Sequence, residues 1–105
     1  MAESRILQIR QMLEKTPGDD FLKHALALEY LKSGDENAAK DCFIGLLDQN
    51  PQYVGSYYHL ALLLDRIGER EAAIRYFEQG MQVAKDKGDT HAFNELRSAY
   101  EEMMY

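Results

Sequence analysis

The sequence predicts an all-α chain of about six antiparallel helices, built as repeated helical hairpins. Three observations carry that prediction. Tyr57, Leu60, Ala61 and Leu64 fall at i, i+3, i+4 and i+7, the spacing of one face of an α-helix. Ala73, Phe77, Gly80 and Met81 form a second such face, and Ile67-Gly68-Glu69-Arg70-Glu71 lies between the two. Glycine suits the left-handed residue that closes a helix, and early acidic residues suit the start of the next. The third observation is a fixed period. Gly68 follows Gly34 by 34 residues, and the same step takes Leu26 to Leu60, Ala27 to Ala61, Ala39 to Ala73, Phe43 to Phe77 and Pro17 to Pro51.

Taken in order, residues 3–15 read as a helix with Ile6, Ile9, Met12 and Leu13 on one stripe and Ser4 as an early cap. Moved on by one period, Ile9, Met12 and Leu13 fall on Phe43, Leu46 and Leu47. This helix therefore corresponds to the second helix of a repeat. Thr16-Pro17-Gly18-Asp19 breaks it. Repeat one covers residues 20–53. Its first helix (20–33) carries Leu22, Leu26, Ala27 and Tyr30 inward, and Lys23 stands where a large residue is expected, so Leu22 or Phe21 must fill that space. Its second helix (36–49) turns Ala39, Phe43, Leu46 and Leu47 inward and ends at Asn50-Pro51, because a residue before proline avoids the α region. Repeat two covers residues 54–87. No proline stands near Lys85, so its second helix should run longer. Asp86 to Thr90 form the last turn, with Asp89 or Thr90 as cap, and residues 90–104 form a final helix carrying Phe93, Leu96 and Tyr100 inward. Its other face, with Asn94, Glu95, Ser98 and Glu102, is polar, as a capping helix requires.

In this register Leu26-Ala27, Tyr30, Gly34, Ala39, Phe43 and Pro51, then Tyr57, Leu60-Ala61, Leu64, Gly68, Ala73 and Phe77, resemble the tetratricopeptide repeat (TPR) pattern. The resemblance spans essentially the whole chain as one domain, two full repeats flanked by half repeats. It implies a right-handed α-α superhelix, whose first helices line a concave groove that in the family commonly holds a peptide. The positions matching that groove are Phe21, His24, Leu28 and Leu31 in repeat one, and Tyr58, His59, Leu62, Asp65 and Arg66 in repeat two. Some members clamp a partner's C-terminal carboxylates with Lys, Asn and Arg. The matching positions here are His24, Leu28, His59, His91 and Glu95, which include none of these residue types.

Composition narrows the function further. A chain of 105 residues with 46% hydrophobic and 29% charged residues suits one soluble domain. The net charge of −6 and the lack of any Lys/Arg run speak against a nucleic-acid surface. No apolar run approaches the ~20 residues a membrane span needs, and the N-terminus carries no secretory signal pattern. With Cys42 as the single cysteine, a reducing cytoplasm is expected. Cys42 reads as a small half-buried residue, and His24, His59 and His91 lack the paired spacing of metal ligands. No catalytic residue, metal or cofactor is expected. The chain reads as a non-enzymatic interaction module for a protein or peptide partner. The alternative is a homo-oligomeric module that self-associates through the groove or through its terminal helices, where Tyr100, Met103, Met104 and Tyr105 form an apolar tail.

Overall fold

The computed structural model describes residues 2–105, with side chains from residue 4 onward. Six α-helices and no strand occur among them: α1 (Ala2–Lys15), α2 (Asp20–Ser33), α3 (Glu36–Gln49), α4 (Gly55–Arg66), α5 (Arg70–Lys87) and α6 (Thr90–Met104). The chain divides into two compact units, Met1–Asn50 and Pro51–Tyr105.

The helix limits follow from backbone hydrogen bonding. A helix start leaves N–H groups without partners. Asp19, Asp35 and Asp89 each accept from the backbone N–H three residues on, at Leu22, Ala38 and Ala92 (3.1, 3.1 and 3.0 Å). Of the two caps predicted for α6, aspartate takes the role. The α2, α4 and α5 segments are closed by Gly34, Gly68 and Gly88, with φ of 84°, 88° and 73°, a region costly for any residue with a Cβ. At α5, Glu69 stands at the cap position without a side-chain bond to it, and Glu71 provides the acidic charge of the first turn. At α1, the helix already includes Ala2, so Ser4 lies inside it and is not its cap.

In the first unit, α2 packs against both α1 and α3. Its core is Ile9, Leu26, Ala27, Ala39, Phe43, Leu46 and Leu47, all buried. Met12 departs from the predicted stripe: it is 51% exposed, whereas Leu46, one period later, is fully buried. Leu46 lies on the second helix of the α2–α3 hairpin, while α1 has α2 as its main packing partner among the described helices. Of the two side chains expected to fill the large-residue space at Lys23, Phe21 is 69% exposed and Leu22 is half-buried. Asn50 Nδ2 donates to Asp20 Oδ2 (2.8 Å), tying the end of α3 to the start of α2.

In the second unit, α5 packs against α4 and α6, and α4 also touches α6. Tyr57, Leu60, Ala61, Leu64, Ala73, Phe77, Ala84 and Leu96 form its interior. Leu63 and Ser56, outside the repeat pattern, are buried as well. Tyr57 is the largest fully buried side chain. Its hydroxyl donates to the Pro51 carbonyl (2.7 Å) and accepts from Gln79 Nε2 (3.1 Å), so burial leaves no polar atom of the ring unpaired. Burial pushes the phenol pKa up, and the Gln79 hydrogen bond pulls the other way. Space for the ring comes from Gly80: a Cβ there would lie 2.6 Å from Tyr57 Cβ and 2.8 Å from Tyr57 Cγ. The α5 helix has 18 residues against 14 in α3, the longer second helix that the sequence predicts. Its last residue, Lys87, donates to the Gln52 carbonyl (2.9 Å). At its other end Arg70 donates to the Met103 carbonyl (3.3 Å), holding the end of α6.

Three substitutions test this packing by urea denaturation. Gly80→Ala gains roughly 1 kcal/mol of helix propensity but forces its Cβ into atoms close to the α4 backbone, which cannot swing aside. A net loss of roughly 1–2 kcal/mol is expected. Gly45→Ala meets nothing within 4 Å and should instead gain roughly 0.5–1 kcal/mol. Ala73→Leu, fully buried, should lose roughly 1–3 kcal/mol.

Candidate functional site

The predicted groove residues fall in both units and behave differently in each. In the first unit, Leu28 and Leu31 are half-buried on α2 and Phe21 stands exposed at its start. His24 is half-buried with its ring edge against Phe43, centroids 5.8 Å apart at 64°. That contact attaches the imidazole to the unit's core.

In the second unit, Tyr58 and His59 are neighbours on α4, with rings 5.5 Å apart and nearly perpendicular (83°). Leu62 is 39% exposed, and Asp65 and Arg66 are exposed one turn further on. His59 follows His24 by 35 residues, one more than the period, so His24 is equivalent to Tyr58. One extra residue turns a side chain about 100° around the helix. The two histidines therefore do not hold the same position, and the carboxylate-clamp comparison does not align them.

A cleft of about 430 Å³ opens between α4 and α6, lined by Tyr58, His91, Asn94, Glu95, Ser98 and Glu102 with Ala99; its surface is more apolar than polar. Of the predicted groove residues, Tyr58 alone lines it. The α6 residues were expected to form an outward capping face. They are indeed exposed, His91 included, and they also form one wall of a hollow. The spacing of Glu95 and Glu102, seven residues apart, is the sequence signal that places both on one side of α6. Burial lowers the His59 pKa from its ordinary value of 6.5, and the charge of Glu95 pulls it the other way.

A second hollow, of about 530 Å³, lies between α5 and α6. Met81, Ala84 and Phe93 line its apolar part and Glu78, Gln82 and Lys85 stand beside them. None of the predicted groove residues borders it.

Cys42 is half-buried in α3. Burial raises its thiol pKa, and Asp41 adds to the rise while Arg10 opposes it. A nucleophilic thiol needs the opposite shift. Among the described residues no three His, Cys, Asp or Glu side chains come together as a metal site, and no helix is long and apolar enough to cross a membrane.

Comparison with known proteins agrees with this architecture. A tetratricopeptide repeat model matches residues 22–53 and 54–87, more than half of the chain. A crystal structure of a tetratricopeptide repeat domain protein from Salinibacter ruber is 36% identical and superposes with a TM-score of 0.79, over 82% of this chain and 96% of that one. A TPR repeat-containing protein of Pseudomonas aeruginosa is 27% identical over 88 residues, 84% of either chain. The Sgt2 TPR domain from Aspergillus fumigatus, at 17% identity, shares the fold with a TM-score of 0.79, over 98% of this chain and 68% of that one.

The His59 environment sets a pH dependence. Below about pH 6.5 the unfolded chain takes up a proton that the folded chain resists. Stability from this group is therefore complete above that value and falls as the pH drops through it, until the folded imidazole protonates too. The His59 imidazole should titrate below 6.5 by NMR. His59→Gln should lose less stability than the parent between roughly pH 7.5 and pH 5.5.

Proposed function

Because this chain belongs to the tetratricopeptide repeat family, whose members generally act as protein–protein interaction modules, we propose that it is a non-enzymatic scaffold holding a segment of a protein partner against its first-helix faces. The observation that carries this reading is the α4–α6 cleft. It brings Tyr58, whose ring meets that of His59, next to hydrogen-bonding groups on a neighbouring helix, with exposed Leu62 one turn away. Recognition surfaces combine apolar anchors with a few polar groups that fix orientation. On α4, Tyr58 and Leu62 supply anchors while His59, Asp65 and Arg66 supply polarity. In the first unit, Leu28, Leu31 and exposed Phe21 supply further apolar surface, and His24 is the polar member. A soluble chain working in the cytoplasm, with no cofactor or metal, is part of the same reading. So is the grouping of residues 1–105 as one working array.

Affinity capture from the native cell tests the proposal. Tyr58→Ala and Leu62→Asp should each lose partners that the parent retains, by roughly tenfold or more for a central anchor. Retention of every partner by both variants would remove the first-helix face as the binding surface.

A second reading is self-association through the terminal helices. It is supported by three exposed apolar side chains, Leu7 (58%), Met12 (51%) and Tyr105 (98%). Light scattering over a concentration series decides it. Association that weakens in Leu7→Ser or in a chain lacking Tyr105 supports self-assembly, and a mass fixed at one chain ends it.

A further inference from the structure

Resting on the reading that a partner lies against the first-helix face, we infer that the segment seated in the α4–α6 cleft is basic, presenting Lys or Arg side chains. The two carboxylates that line the cleft, Glu95 and Glu102, stand two turns apart on one side of α6, and no Lys or Arg lines it. Arg66 and Arg97, the cations on the two helices that form it, are not among its lining residues. Beside the carboxylates, Asn94 and Ser98 are one turn apart and offer neutral oxygen acceptors. Across the cleft stands Tyr58, whose ring meets His59 edge-on.

Each wall suits a cation. A carboxylate accepts two parallel hydrogen bonds from a guanidinium, and an aromatic ring attracts a cation to its face. The surrounding chain, at net charge −6, attracts a basic segment over a longer range. An acidic segment would set its carboxylates against Glu95 and Glu102 with no lining Lys or Arg to offset them. A wholly apolar segment would strip water from both carboxylates without replacing its hydrogen bonds. The cleft therefore discriminates by repulsion as well as by attraction.

Selection from a displayed library of random peptides, about twelve residues long, tests the inference on the intact protein. Peptides retained by the parent should be enriched in Lys and Arg relative to the input. Their affinity should fall roughly five- to tenfold in the Glu95→Gln/Glu102→Gln double variant and also weaken in high salt. Glu14→Gln/Glu71→Gln, which removes two exposed charges away from the cleft, should leave affinity within about twofold. Three results would overturn the inference: enrichment of Asp and Glu, equal loss in both double variants, or selected peptides without charge bias. In the last case, loss of those peptides on Tyr58→Ala would leave the first-helix binding surface standing while the basic specificity falls. A library yielding no binder would overturn both.

Discussion

The second unit depends on the close approach of α4 and α5 at Tyr57 and Gly80. The ring is fully buried, its hydroxyl is paired on both sides, and the facing helix has no side chain where the ring root lies. Without the glycine, the two backbones could not come this near. Further separation would break contact around Phe77 and Ala73, and would move Leu96, whose Cδ1 stands 3.1 Å from a Cβ placed at Gly80. Thus one absent side chain sets the spacing of three helices. The α4–α6 cleft inherits that spacing, because Tyr58 follows Tyr57 directly on α4 and Leu96 lies between Glu95 and Arg97 on α6. Core packing and surface recognition are coupled through neighbouring residues on the same helices.

Helix limits form the other constraint. Three aspartate caps start α2, α3 and α6, and three left-handed glycines close α2, α4 and α5. A cap fixes where a helix begins, and the apolar spacing fixes which way it faces. On α6, which Asp89 caps, burial of Leu96 and Ala99 turns Glu95, Ser98 and Glu102 outward.

Most of the fold could be read from the residues because glycine, aspartate and proline mark helix ends by local chemistry, and apolar spacing marks the inner faces. The interior small residues Ala39, Ala61 and Ala73 were recognisable for the same reason, and all three are fully buried. Other features depend on which helices meet, which spacing does not encode. Met12 occupies a core position of the repeat, yet among the described residues α1 has no first helix paired with it as α2 is with α3. Leu63 and Ser56 are buried although they lie outside the pattern. The cleft was the least readable part. Asn94, Ser98 and Glu102 look like any solvated helix face, and an outward polar side chain has the same sequence signature over a hollow as over bulk water. His24 and His59 stand one residue out of register with the period, which puts one against a core ring and the other beside Tyr58.

The size match between Tyr57 and Gly80 also sets the two repeats apart. The equivalent pair in the first repeat is Lys23 and Leu46, one period earlier. The first repeat has no counterpart of this large-against-absent pairing. Setting Leu46 in the place of Gly80 would put a branched side chain where even a bare Cβ lies 2.6 Å from Tyr57. The second helices of the two repeats are therefore not interchangeable parts, although their sequences follow one pattern.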